Sequence, residues 1–335
     1  TGSIIPEGTD CVIKIEDLKI ENGMAHLSPS CPVTPGQHIH PAGSDQTQNA
    51  CLVPAGSLIG PPELAIAASV GHTQLTVSKL PAILLITTGD EVIPPDQSPL
   101  PHQIRRSHAP AIQNSIESNK LGHVASKHVP DNQDQLKETL DDALKNYDLI
   151  ILTGGISMGK FDYVAPTMIS LAGSPLFHGI AQRPGKPLAF WSTPYQATAK
   201  GEKKARGIGG LLDRSEATCP EGVSRPEEPA NQCKRAIFAL PGNPASVMAC
   251  LARYLLPALH QMRGETWKPQ SYPLAHDTIW NAPFPGLLAC QIIEKQIHPC
   301  PPRNSGDYTA LAGSHGICEL PTTTRSGNIL NFYPW

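Results

Sequence analysis

Between residues 82 and 172, short apolar runs alternate with amphipathic stretches, and this alternation constrains the fold more than any other feature of the chain. Ile83-Leu-Leu-Ile86 reads as a buried strand that ends in Thr88-Gly-Asp-Glu91, and Ile112 and Ile116 mark a helix that stops at Gly122. Residues 124–129 read as a second strand, after which Asp131 is placed to cap a helix whose Leu136, Leu140 and Leu144 recur at i, i+4 and i+8. Leu149-Ile-Ile-Leu152 is the third strand, and it runs into Gly154-Gly155 and a helix carrying Val164, Met168 and Leu171. Strands apolar on both faces, each separated from the next by one helix, call for a parallel sheet covered on both sides. The predicted fold class is α/β: a βαβ domain with a parallel-rich sheet, flanked by β-rich domains.

The flanks have a different texture. Residues 1–53 set short apolar pieces such as Cys11-Val-Ile-Lys-Ile15 between turn residues, among them Pro6, Gly8, Gly23 and Pro29, which predicts a small β-rich domain. Residues 54–80 read as a connector with a helix opened by Pro61-Pro62. The α/β domain is expected over 81–266. It is interrupted at 192–235 by a Lys, Glu, Gly and Pro run too polar to bury a core, predicted to be a mobile surface insertion. A strand resumes at 236–240, and Asn243 and Pro244 are placed as N-cap and first residue of a helix to about Gly264, with a kink expected at Pro257. Scattered short apolar runs and prolines over 267–335 predict a β-rich C-terminal domain.

Charge and composition exclude several classes of function. A net charge of -3 supplies no global field for nucleic acid or an anionic membrane, so only a local basic site is left to hold phosphate. The longest apolar runs fall far short of the roughly 20 residues of a membrane span. Nine cysteines, odd in number and without a CxxC pair, suggest a reducing, cytoplasmic setting. The chain opens at Thr1 on what reads as the middle of a domain, so it is expected to be an N-terminally truncated piece of a longer protein.

Four loops carry chemistry-bearing residues: Thr88-Gly-Asp-Glu91, Gly154-Gly-Ile-Ser-Met-Gly-Lys-Phe-Asp162, Arg183-Pro-Gly-Lys-Pro187 and Pro241-Gly-Asn-Pro-Ala-Ser246. A parallel sheet brings such loops to one edge, where glycine lets backbone N–H groups approach an anion beside carboxylates and two cations. The implied cargo is phosphate with a metal ion or an oxyanion. Gly154, Gly159 and Lys160 have the spacing of a Walker A loop, but Phe161 stands where its Ser or Thr would hold Mg²⁺, which argues against a P-loop NTPase. Taken singly, each signal has a plainer reading: Asp90, Glu91 and Asp162 as helix or turn charges, Asn243 and Ser246 as caps, the paired histidines as surface residues. Their joint order is what points to a site.

That order resembles the molybdopterin molybdenumtransferases, or molybdenum insertases, whose relatives include the E domain of gephyrin. The matching segments run from Thr1-Gly-Ser-Ile-Ile-Pro-Glu-Gly-Thr-Asp10 through Gly36-Gln-His-Ile-His-Pro-Ala-Gly-Ser-Asp45, Val53-Pro-Ala-Gly56 and Val129-Pro-Asp131 to the four loops. The resemblance implies an enzyme that inserts molybdate into adenylylated molybdopterin and releases AMP. It implies that Asp90, Glu91 and Asp162 hold Mg²⁺ or shape the adenylate site, and that Asp131 and Ser157 are further active-site residues. Lys186 and Arg183 would meet molybdate or phosphate. Thr88, Gly89, Gly154, Gly155, Pro184, Gly185, Gly242, Asn243 and Ser246 would line the cofactor site. Asp45, counted with Asp90, Glu91 and Asp162 among the metal-site residues, matches an acidic residue that reaches the partner's cleft in a homodimer with a shared active site.

Several positions depart from the family pattern. Arg183 stands where many members carry Lys, Lys160 where many carry Asp, and His40 and His108 replace Arg and Asn. Gly313-Ser-His-Gly316 matches the family's Ser-Ala-Asn-Gly loosely, and an Asp-Gly-Tyr-Ala element belongs upstream of Thr1. Whether these residues act alone is left open, as are two competing readings, a gephyrin-like scaffold for receptor peptides and a molybdopterin adenylyltransferase.

Overall fold

The computed structural model describes residues 2–156, 162–194, 234–303, 307, 309–321 and 323–335. The chain forms two compact units, Thr1–Leu75 and Thr76–Trp335. In the first, strands β1 (Leu18–Glu21) and β2 (Met24–Leu27) form an antiparallel hairpin. Asn22 and Gly23 make its turn at φ 51° and 75°, the left-handed pair that matches strand twist. The apolar piece at Cys11–Ile15 is not a strand; the pairing begins after it, where the Asn-Gly turn fixes a register. Helix α1 (Pro61–Ser69) starts as its proline pair predicts, and Glu63 accepts from the Gly60 N–H at 2.9 Å.

The second unit opens with β3 (Ala82–Thr88), then the small parallel pair β4 (Val92–Ile93) and β5 (Ile104–Arg105), helix α2 (His108–Ser118), β6 (His123–Val129), α3 (Gln133–Asn146), β7 (Leu149–Thr153) and α4 (Val164–Ala172). It continues through β8 (Phe177–His178), β9 (Ala189–Pro194) and β10 (Lys234–Leu240). Apart from the β4-β5 pair, these strands form a six-stranded sheet in the order β6-β3-β7-β10-β9-β8, in which the first four are parallel and the β10-β9 and β9-β8 pairings are antiparallel. Strand pleating splits the core. Ile83 and Leu85 face Ile112, Ile116, Val247 and Leu251 on one side, while Leu84 and Ile86 face Leu136, Leu140, Val164 and Met168 on the other. Helix α3 is capped by Asn132, whose side chain accepts from the Gln135 N–H at 3.0 Å, so Asp131 is not its cap and lies one residue outside it.

The helix after β10 is not continuous. It runs as α5 (Pro244–Cys250), a π turn at Leu251–Leu255 and α6 (Leu256–Met262). Pro257 has no N–H to donate, and the wider turn just before it is where the expected break occurs. Strands β9 and β10 take residues 192–194 and 234–235 from the two ends of the expected insertion, and 195–233 lies outside the described residues.

The C-terminal part of this unit contains β11 (Gln270–Pro273), β12 (Thr278–Ile279), β13 (Gly286–Ile293), β14 (Gln296–Pro299), β15 (Gly316–Leu320), β16 (Thr323–Thr324) and β17 (Ile329–Pro334). Five of them form an antiparallel sheet, β11-β17-β15-β13-β14, with its own core of Leu288, Cys290, Cys318, Leu320 and Phe332. It packs on α5 and the π turn through Leu287, Ile317 and Tyr333 against Ala249 and Ala252.

Candidate functional site

Register brings the loops together. Thr88 lies opposite Val129, and Thr153 lies opposite both Thr87 and Leu240, so β3, β6, β7 and β10 end at one edge. Strand β9 runs the other way, with Ala189 opposite Ala239, which delivers the Arg183–Pro187 loop to that same edge. The chain leaves β3 toward β6 and leaves β7 toward β10. The switch point therefore lies between β3 and β7, where α/β sheets bind ligands.

At that point the backbone is drawn unusually close. Gly154 and Gly155 have φ of 87° and 63°, and a Cβ on either would lie 3.0 Å from the Thr88 hydroxyl oxygen. The Gly154 N–H donates to Leu240 O at 3.3 Å, and Gly242 abuts the Gly154 Cα. Thr88 is 7% exposed, and its Oγ1 is without a hydrogen-bond partner among the described residues. A buried, unpaired hydroxyl walled by two glycines marks a position that a ligand's polar atom could fill.

Beside this cradle lie carboxylates. Gly89 is buried at φ 123°, and the Glu91 carboxylate folds back over it. Asp131 donates its backbone N–H to Asp90 Oδ1 at 3.0 Å. Burial raises the Asp131 carboxyl above its ordinary pKa; a backbone hydrogen bond from Asp90 opposes this, and the charges of Asp90, Glu91 and Asp162 add to it. Asp90, Glu91 and Asp162 are therefore each in electrostatic range of Asp131. Among the described residues no three His, Cys, Asp or Glu side chains are gathered as a preformed metal cage. Magnesium rarely needs one, since it uses one or two carboxylates together with waters and substrate phosphates, and hard oxygens are what this group offers.

On the far side of the edge, Arg183 and Lys186 are exposed and make no salt bridge to a described residue. Their loop is tightly held. Arg183 bridges to the C-terminal sheet, donating to Pro285 O at 3.1 Å and accepting from Leu287 N at 2.8 Å. Gln182 donates through Nε2 to Pro184 O at 3.1 Å and accepts from the Tyr254 hydroxyl. Gly185, at φ 96°, sits against Cys250 Sγ and Gln182 Nε2, each 2.7 Å from where its Cβ would be. Burial pushes the Cys250 thiol and the Tyr254 hydroxyl up to about 12, so both stay protonated as donors. Gln182, Cys250 and Tyr254 are absent from the sequence expectations, because partners separated by 68 and 72 positions leave no local pattern.

The remaining expected residues are accounted for as follows. Asn243 caps α5 by accepting from the Ser246 N–H at 3.3 Å, and Ser246 is buried beneath it, so both hold the loop that places Gly242. Asp45 belongs to the first unit, where it is exposed and pairs with His40 Nε2 at 3.0 Å. Ser157 lies outside the described residues, as do Lys160 and Phe161. The described cysteines are free, and no helix among the described residues is long and apolar enough to cross a membrane.

Residues 84–261 match the family described as "Probable molybdopterin binding domain", and residues 1–71 match "MoeA N-terminal region (domain I and II)". A molybdopterin molybdenumtransferase from Synechocystis sp. is 30% identical over all of this chain and 76% of its own length. A gephyrin from Dictyostelium discoideum is 31% identical over 79% of this chain, which spans 35% of that relative. The crystal structure of a molybdopterin biosynthesis MoeA protein from Pyrococcus horikosii shares the fold at a TM-score of 0.72, covering 100% of this chain and 74% of that one, with 23% identity. With one family model covering more than half of its residues and a relative matched along its whole length, the chain belongs to the molybdopterin molybdenumtransferase family, transferases of molybdenum cofactor biosynthesis.

Proposed function

We propose that the protein inserts molybdate into adenylylated molybdopterin with release of AMP. The observation that carries this reading is the Thr88 hydroxyl in its glycine cradle, without a hydrogen-bond partner among the described residues, flanked on one side by carboxylates and on the other by two cations that make no salt bridge to a described residue. Gly154, Gly155 and Gly242 let a phosphate approach the main chain. Asp90, Glu91, Asp131 and Asp162 would repel that phosphate unaided, and Asp90, Glu91 and Asp162 would hold Mg²⁺ between it and themselves. When bound, the ion supplies charge neutralisation of the phosphoanhydride. Arg183 and Lys186 hold the molybdate and stabilise the negative charge that appears on the departing AMP. Arg183 keeps the charge of the Lys usual in the family and adds a planar fork suited to an oxyanion. Ser157 is proposed as a further site residue.

The same reading takes domain limits at 1–53, 54–80, 81–266 and 267–335. It takes the partners as small molecules and a second copy of the chain, to whose cleft Asp45 contributes an acidic group. A reducing, cytoplasmic setting is supported by the free cysteines, and the small net charge supports no nucleic-acid partner. Crystals soaked with AMP, Mg²⁺ and molybdate test the assignment. The AMP phosphate is expected over Gly154–Gly155 and molybdate at Arg183 and Lys186. Failure of both to bind there would overturn it and favour the scaffold reading suggested by the likeness to gephyrin.

A further inference from the structure

The two cations stand on a platform whose main chain is fixed residue by residue. Arg183 is tied to the C-terminal sheet through both its N–H and its C=O. Pro184 O accepts from Gln182 Nε2, Gly185 rests on Cys250 and Gln182, and Lys186 O accepts from the Ile180 N–H at 2.8 Å. Gln182 is 4% exposed and has both ends of its amide engaged, with Tyr254 closing the acceptor side. Tyr254 lies on the π turn, and so does Arg253, whose guanidinium lies 5.2 Å from the Tyr254 ring centre and 4.6 Å from that of Tyr333 and pairs with Glu319 at 3.5 Å. Glu319 in turn accepts from the Tyr333 hydroxyl at 2.9 Å. One widened helical turn thus braces the loop from behind and anchors itself in the C-terminal sheet.

We propose that Gln182 and Tyr254 are positioning residues for the oxyanion: their hydrogen bond, seated on the π turn, fixes the loop so that Arg183 and Lys186 meet molybdate at a preset separation. Neither residue touches the substrate. The inference rests on the reading that this loop receives molybdate, and it adds a specific cause for the loop's rigidity. Two cations on long, flexible side chains bind a small tetrahedral anion well only if their stems are held, and displacement by about an ångström can cost orders of magnitude in rate.

The test compares wild type with Gln182→Met, Tyr254→Phe, the double variant and Lys186→Ala in molybdate-dependent AMP release. Amide hydrogen exchange at Ile180 and Leu188 is measured in parallel. Gln182→Met and Tyr254→Phe are each expected to raise KM for molybdate roughly tenfold, with kcat changed much less and the thermal midpoint within a few degrees of wild type. The double variant should be no worse than the poorer single one, because both remove the same link. Exchange at Ile180 and Leu188 should quicken while the rest of the sheet is unaffected. If Lys186→Ala loses activity while Gln182→Met and Tyr254→Phe keep the wild-type KM, the positioning role is overturned and the functional reading stands. If Lys186→Ala is itself indistinguishable from wild type, the functional reading fails. Faster exchange in Tyr254→Phe would then still support the brace as a structural link, and unchanged exchange would overturn that as well.

Discussion

The backbone N–H of Asp131 donates to Oδ1 of Asp90 at 3.0 Å, which carries the pairing of β3 and β6 past the ends of the two strands. It also fixes two carboxylates side by side at the edge where the ligand is proposed to bind. Burial and the neighbouring negative charges raise the Asp131 carboxyl above its value of 3.8 in an unfolded chain.

The consequence for stability has a definite sign. The folded state holds the Asp131 proton more tightly than the unfolded state does, so stability falls as pH rises from 3.8 through the folded value. Asp131→Asn should therefore raise the thermal midpoint at pH 7, and the gain should vanish as pH falls below about 4. Millimolar Mg²⁺ should stabilise wild type more than the variant, and chelation should reverse it. A variant less stable than wild type at pH 7 would show that the backbone hydrogen bond from Asp90 outweighs burial and the neighbouring charges.

Thr88→Val removes a buried hydroxyl that has no partner among the described residues. Such groups cost about 1–3 kcal/mol when left unmade, so the variant should fold at least as well as wild type. Its affinity for AMP should nevertheless fall, roughly three- to tenfold for one lost hydrogen bond, as read by calorimetry. Unchanged affinity would place the ligand away from the cradle.

At Gly286 a Cβ would lie 2.7 Å from the Trp280 ring, directly beside the bridge to Arg183. Gly286→Ala should displace Trp280, lower the thermal midpoint and weaken molybdate binding together. Loss of stability with molybdate affinity intact would show that the C-terminal sheet does not set the position of Arg183.

The last paired residues of β9 and β10 are Pro194 and Lys234, so residues 195–233 begin and end on adjacent strands. Replacing that stretch with a short Gly/Ser turn should leave the thermal midpoint within a few degrees. A fall of roughly ten degrees, worth several kcal/mol in a chain of this size, would contradict the sequence reading that it buries no core.

Much of this molecule is legible in its sequence because parallel strands advertise themselves. Ile83 to Ile86 and Leu149 to Leu152 are apolar on both faces, and each ends in a glycine-bearing loop that the parallel register must bring to one edge. The Asn243-Pro244 start of α5 was equally plain, since a cap and a proline act locally. What a single sequence does not carry is the support behind the loops. Tyr254 reaches Gln182 only because a π turn and an antiparallel strand place them together. Asp131 and Asn132 are adjacent and both competent caps, and only the contact to Asp90 shows which of them turns toward the site.

Release of AMP from adenylylated molybdopterin, followed with and without molybdate in wild type and Lys186→Ala, tests the central claim most directly. The account predicts release that requires molybdate and falls roughly ten- to a hundredfold in the variant, the worth of one charge-assisted contact of about 1.5–3 kcal/mol. Release that ignores molybdate, or equal rates for the two proteins, would contradict it.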